Sequence, residues 1–226
     1  MQQLPASRRV FIHGAGRRGI DAWPTSDAAD GDFVSFAPGS TIPEQVATLI
    51  DSYSDARVVL HAHSLGAVPA VLAAASDRLD VEGLVLVEPA LYDIARGEHA
   101  IERHIAIVTE AREQAAEGEL QGFWAIFRPL MFGVGFDVER WATERAAAER
   151  WASSNVPWGH GVRGGMITGI PTLVITGGWN DEYETIARAL ARRGAQHDVL
   201  AGAAHRPQDL PGFAPLVEEF THSLTP

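Results

Sequence analysis

Apolar residues along the chain fall into two kinds of segment. Short, continuous runs rich in Val, Ile and Leu occupy 9–13 (RVFIH), 32–37 (DFVSFA), 56–62 (ARVVLHA), 82–88 (EGLVLVE), 171–177 (PTLVITG) and 196–202 (QHDVLAG). Runs that do not alternate with polar residues suit strands buried on both faces of a parallel sheet. Between them, stretches at 43–54, 65–79, 181–194 and 212–224 carry helical periodicity. Strand–helix alternation of this kind predicts an α/β fold: a mostly parallel sheet of about six strands with helices on both faces.

The rhythm breaks between Leu91 and Thr168, where no strand pattern occurs. The segments 98–118, 120–133 and 137–153 all read as helices, with Asp137 the expected N-cap of the third. Pro129 is expected to break the second, because proline lacks the N–H that a helix interior needs. Trp124, Trp141, Trp151 and Trp158 fall in this interval, four of the six tryptophans in the chain. The expected organisation is a core from 1–90 and 169–226, interrupted by a helical insertion at 91–168.

With 226 residues, 46% hydrophobic and 21% charged, the chain is long enough for one well-cored domain carrying an insertion. Its 18 Lys and Arg against 29 Asp and Glu give a net charge of −11. That excess repels phosphate backbones and anionic membrane surfaces, so neither nucleic acid nor membrane is an expected partner. Absence of cysteine excludes disulfides, thiolate metal sites and cysteine nucleophiles. The N-terminal stretch has no apolar leader region, and no apolar run reaches membrane-spanning length, so a cytoplasmic location is expected. No metal-ligand or cofactor motif is present. A small molecule is the expected partner, and a homodimer is compatible with the reading.

Gly14-Ala15-Gly16-Arg17-Arg18-Gly19 spells G-x-G-x-x-G after the first run. A dinucleotide turn also needs an acid ending the second strand, where it binds the ribose. Here that strand ends in Phe36-Ala37-Pro38-Gly39, and Asp30 and Asp32 precede it. The loop therefore reads as an anion cradle for chemistry, not for pyrophosphate. Arg17 and Arg18 read as solvated.

The third run leads into His63-Ser64-Leu65-Gly66, an approximation of the G-x-S-x-G nucleophile elbow with Ala62 at the first glycine position. A serine on so sharp a strand-to-helix turn needs small neighbours, here Ala62, Gly66 and Ala67. Its hydroxyl would project at the carboxyl end of the sheet, with the Leu65 N–H aimed at the same spot.

With HGAG after the first strand, AHSLGA at the elbow and GAAHRPQ near the C-terminus, the chain resembles the α/β-hydrolase fold family. The order of the three motifs and the place of the helical insertion, read as a cap, agree with that family over nearly the whole chain. One departure is the short segment before the HG strand, which implies a sheet shortened to about six strands. The resemblance implies Ser64 as nucleophile, His205 as general base, and an oxyanion hole from the N–H groups of Ala15 and Leu65, helped by Gly16.

Two carboxylates compete as the orienting acid. Family members usually carry an Asp three residues after the glycine ending the penultimate strand. Counting from Gly177 gives Asn180, and counting from Gly178 gives Asp181. Glu88, ending the strand after the elbow helix, is the other candidate. His61 and His63 read as core and elbow residues, His197 as facing the sheet, and Arg206 and Asp209 as surface charges.

Serine at the elbow argues against dehalogenase and epoxide-hydrolase chemistry, which need an aspartate there. The expected reaction is hydrolysis of a small-molecule carboxylic ester or lactone through an acyl-enzyme. Trp124, Phe127, Met131 and Trp158 are the expected apolar substrate contacts, with His160 and Arg163 in a glycine-rich loop read as solvated. A carbon–carbon bond hydrolase, a hydroxynitrile lyase or a non-catalytic ligand receptor would be built from the same residues.

Overall fold

The computed structural model describes residues 7–224. These divide into two compact units, one formed by residues up to Ala95 and from Val156 onward, the other by Arg96–Asn155.

The first unit is built on a parallel sheet of β1 (Arg8–Ile12), β2 (Asp32–Val34), β3 (Arg57–His63), β4 (Asp80–Val87), β5 (Thr172–Thr176) and β6 (Gln196–Val199). Their order is β2-β1-β3-β4-β5-β6, and every neighbouring pair is parallel. The helices are α1 (Ile42–Tyr53), α2 (Ala67–Ala74), α6 (Asp181–Ala191) and α7 (Phe213–Ser223).

Burial explains why the central strands read as unbroken apolar runs. Leu84, Val85, Leu86 and Val87 of β4 are all fully buried. Each such side chain contributes roughly 1.5–3 kcal/mol when removed from water. Val85 and Val87 join Phe11, Val59, Leu173 and Ile175 beneath Phe213, Val217 and Phe220 of α7. The alternate residues Val10, Ile12, Leu60, Leu84 and Leu86 are equally buried on the opposite face. The sheet is thus covered on both sides.

Two expected elements are shorter than their hydrophobic patterns. β2 stops at Val34, because the chain turns at Ala37-Pro38-Gly39. The elbow helix α2 begins only after a 3-10 turn, Ser64–Gly66, and stops at Ala74.

The second unit is helical: α3 (His99–Ala116), α4 (Leu120–Phe132) and α5 (Trp141–Ala152). Pro129 does not break α4, which runs through it to Phe132. The proline forfeits only its own bond to the preceding turn, the chain continues helical for three more residues, and Gly133 closes the helix in a left-handed conformation. Asp137 accepts a hydrogen bond from the Glu139 N–H and caps the 3-10 turn Val138–Arg140 leading into α5. Phe123, Trp124 and Phe127 pack on one another, with Trp151 against Phe127. Arg128 forms a largely buried pair with Glu144, which also accepts the Trp124 indole N–H. These contacts hold the carboxyl of Glu144 below the ordinary carboxylate range, the Trp124 bond contributing most.

Among the described residues, no helix is long and apolar enough to cross a membrane.

Candidate active site

The site is assembled at the carboxyl ends of the central strands. In the register of β3 with β4, His63 lies opposite Val87. The next residues, Ser64 and Glu88, therefore leave the sheet side by side. Both turn sharply: φ is +52° at Ser64 and +44° at Glu88. Ala204, immediately before His205, has φ +46°. Left-handed backbone at non-glycine residues is uncommon, costs of order 1–3 kcal/mol each, and persists only where surrounding structure enforces it.

The elbow is held by close packing. A Cβ on Gly66 would lie 2.5 Å from the carbonyl oxygen of His13, so only glycine lets the turn approach β1. Gly14 packs directly on Ser64, where an added Cβ would lie 2.9 Å from the Ser64 Cβ. The HGAG segment is thereby pressed against the serine. The Ser64 carbonyl accepts the Ala90 N–H at 3.0 Å, tying the loop after β4 to the elbow.

His205 bridges the two side chains. Its Nε2 lies 2.9 Å from Ser64 Oγ, and its Nδ1 lies 3.2 Å from Glu88 Oε2. The Glu88 carboxylate is fully buried. It also accepts the Gly177 N–H at 2.5 Å and the Trp179 indole N–H at 3.0 Å. A buried carboxylate needs such donors to offset its lost hydration. The Nδ1–H tautomer follows, since a carboxylate can only accept.

Asp181 is placed differently. Asn180 caps α6 by accepting the N–H groups of Glu182 and Tyr183, so Asp181 begins the helix as an exposed first-turn acid. The loop after β5 thus offers His205 no carboxylate and instead supplies two donors to Glu88.

Supporting residues fix the histidines. His63 is buried, which pushes its pKa well below the ordinary value, with the neighbouring His205 adding to the effect. As a neutral ring its Nε2 meets the His205 carbonyl at 2.9 Å and anchors the histidine loop. Burial also lowers His13. Its Nδ1 lies 2.6 Å from the Gly14 carbonyl, and the Phe36 N–H donates to its Nε2. Fully buried His61 stacks on Phe11 and is pushed down to about 3, chiefly by burial and secondarily by Arg9. His197 in β6 meets Thr176 Oγ1 at 2.8 Å.

Arg206 and Asp209 are more than surface charges. They pair through two bonds of 2.8 and 2.6 Å, and Arg206 also donates to the Ala22 carbonyl. Together they tie the histidine loop to the 3-10 turn Gly19–Ala22 that follows HGAGRRG. A dinucleotide-binding loop would open into an α-helix, which this one does not.

Leu65 follows Ser64 within the elbow turn, while Ala15 and Gly16 are exposed in the loop beyond Gly14. Trp124 and Phe127 are buried in the helical unit, and Met131 is half-buried there. Trp158 belongs to the sheet unit and packs on Tyr92 at 5.8 Å. The loop around it is held by Asp93, which accepts the N–H groups of Gly159, His160, Gly161 and Val162. His160 therefore lies within an anchored segment, and exposed Arg163 directly follows it. Among the described residues, no cluster of His, Asp and Glu side chains could hold a metal ion.

No protein-family model and no curated protein sequence matches the chain. Solved structures do. MenH from S. aureus is similar over 97% of this chain and 95% of its own, with a TM-score of 0.66 and 16% identity. The fold is that of the α/β-hydrolases. A carboxylesterase of the thaumarchaeon Nitrososphaera gargenis has this α/β-hydrolase architecture with a TM-score of 0.62 and 16% identity, covering 97% of this chain and 91% of that one. The enol-lactonase of Burkholderia xenovorans LB400 follows at 0.56 and 18%, covering 98% and 94%.

Sequence reasoning missed several residues around this candidate site. Trp179, Tyr183, Tyr92 and Asp93 carried no motif. The one available signal was the pair Gly177-Gly178 ahead of Trp179, which marks a close backbone approach at the end of β5.

Proposed function

We propose that this protein is a serine hydrolase that cleaves a small-molecule carboxylic ester or lactone through an acyl-enzyme intermediate. The observation carrying this reading is the continuous path from Ser64 Oγ through the His205 ring to the buried Glu88 carboxylate, in steps of 2.9 and 3.2 Å.

In this reading Ser64 Oγ attacks the substrate carbonyl carbon while His205 Nε2 takes the hydroxyl proton. Glu88 keeps the imidazole in its Nδ1–H tautomer and stabilises the imidazolium. The N–H groups of Ala15 and Leu65, with Gly16, hold the oxyanion. One such donor is worth about 3 kcal/mol in the transition state. His205 then protonates the departing alcohol, and water repeats the sequence on the acyl group. Of the expected apolar substrate contacts, Trp158 lies in the same unit as Ser64, packed on Tyr92, and is assigned that role. The carboxylesterase and enol-lactonase among the similar structures support an ester or lactone over other acyl compounds.

A fluorophosphonate probe tests the reading: it should label Ser64 in the native protein and nothing in Ser64→Ala. A panel of aryl esters, lactones and amides, with Ser64→Ala as blank, then identifies the acyl class. No label on native protein would overturn the proposal and favour a ligand receptor. Labelling without turnover of any ester or lactone would move the assignment to carbon–carbon bond cleavage.

A further inference from the structure

Trp179, in the loop between β5 and α6, is a large aromatic left 45% exposed. Burial therefore explains little of its placement. Its polar atom explains more. The indole Nε1–H donates at 3.0 Å to Oε2 of the fully buried Glu88, the same oxygen that meets His205 Nδ1 at 3.2 Å. The other carboxylate oxygen, Oε1, accepts the Gly177 N–H at 2.5 Å.

The loop has little freedom to aim that indole elsewhere. A Cβ on Gly177 would lie 2.0 Å from the Ala204 carbonyl oxygen and 3.1 Å from Trp179 Cδ1. Glycine thus presses the loop onto the residue before His205. Gly178 turns at φ +66°, and its N–H donates to Glu184 Oε1 of α6 at 3.2 Å. The indole ring stands edge-on to the His205 imidazole, at 6.1 Å and 70°, and lies 6.1 Å from the Tyr183 ring. His63 and Tyr183 flank the same imidazole, with ring centroids at 4.9 and 4.8 Å.

Burial strips an ionised carboxylate of its hydration, and each N–H donor replaces part of it. An ionised Glu88 accepts from Nδ1–H and leaves Nε2 with the lone pair that takes the Ser64 proton. A Glu88 that held a proton would instead donate to Nδ1. The ring proton would then sit on Nε2, facing Ser64, where it blocks proton transfer. With one donor fewer, Glu88 shifts toward that unproductive pairing.

We propose that Trp179 is a positioning residue that acts through Glu88 to hold His205 in the tautomer able to deprotonate Ser64. The proposal rests on the serine-hydrolase reading above. The Gly177 donor belongs to the backbone, so Trp179 is the side chain on which the pairing turns. Acylation and deacylation both pass through His205, and both depend on it.

Two variants separate the N–H from the ring. Trp179→Phe removes the donor and keeps an aromatic side chain. Incorporating β-(3-benzothienyl)alanine at position 179 keeps the bicyclic shape and replaces only the N–H by sulfur. Both proteins should lose about tenfold in kcat on p-nitrophenyl acetate with KM held within about twofold, the effect of one hydrogen bond to a charged group. NMR of the His205 ring nitrogens, which needs no substrate, should show Nδ1–H in the native protein and a gain of Nε2–H in both variants. A benzothienyl protein with native kcat and a native ring spectrum would overturn the proposal. So would a raised KM at native kcat, which would make the exposed indole a substrate contact. A native protein that takes no fluorophosphonate label and turns over no ester fails differently: it removes the reaction, whereas an unchanged ring spectrum in the variants removes the role of Trp179.

Discussion

Glu88 and His205 are separated by 117 residues along the chain, yet Glu88 Oε2 lies 3.2 Å from His205 Nδ1. The carboxylate that meets the imidazole comes from the end of β4, and Asp181 stands exposed at the start of α6. Glu88→Gln should therefore lower kcat/KM on an aryl ester at least about tenfold more than Asp181→Asn, since the acid of a triad is worth that or more. The reverse ranking would transfer the role to Asp181.

Gly66 marks the tightest approach between the elbow and β1. Gly66→Ala forces a methyl group to 2.5 Å from the His13 carbonyl and 3.0 Å from Ile12 Cγ2. Urea unfolding should report a loss of about 1–3 kcal/mol, the usual range for overpacking. Ester turnover should fall as well, because the displaced atoms adjoin Ser64.

Asp93 holds one loop with a single carboxylate, its bonds to Gly159, His160 and Gly161 measuring 2.8, 3.0 and 3.0 Å. Asp93→Ala leaves those N–H groups without their charged acceptor and should cost about 2 kcal/mol or more. Limited proteolysis should cut the variant within 156–162 at protease levels that leave native protein intact. Equal resistance in both proteins would deny Asp93 this anchoring role.

His61 makes stability depend on pH. Its folded value near 3 lies below the unfolded value near 6.5, and neither ring nitrogen finds a hydrogen-bond partner among the described residues. The unfolded chain then binds the additional proton, so this contribution is whole above pH 6.5 and declines as pH falls toward 3. At pH 5 the loss amounts to about 2 kcal/mol. His61→Phe, which keeps a flat ring against Phe11, should remove that part of the decline in urea titrations between pH 8 and 5.

The sheet was legible because its central strands are buried on both faces, leaving Val58–Leu60 and Leu84–Val87 as unbroken apolar runs. The helices of 96–155 were legible from periodicity, but the fate of Pro129 was not. Whether a proline ends a helix depends on whether the turn before it can absorb one lost hydrogen bond, and that turn's packing is not written in the local pattern. The elbow could be read because its chemistry needs small residues at fixed offsets from Ser64. The acid could not, since Glu88 and Asp181 each follow a strand locally and only β3–β4 register and the Asn180 cap distinguish them. Trp179 carried no signal of its own, because its bond to Glu88 joins elements distant in sequence.

Ser64, Glu88 and Ala204 all hold torsions that an isolated peptide would relax away from. The side chains of Ser64, Glu88 and His205 lose their register once the strands beneath them part. Heat inactivation should accordingly coincide with melting of the sheet, without a preceding inactive but folded form. The placing of Ser64 beside His205 and Glu88 and the tertiary structure are here a single cooperative property.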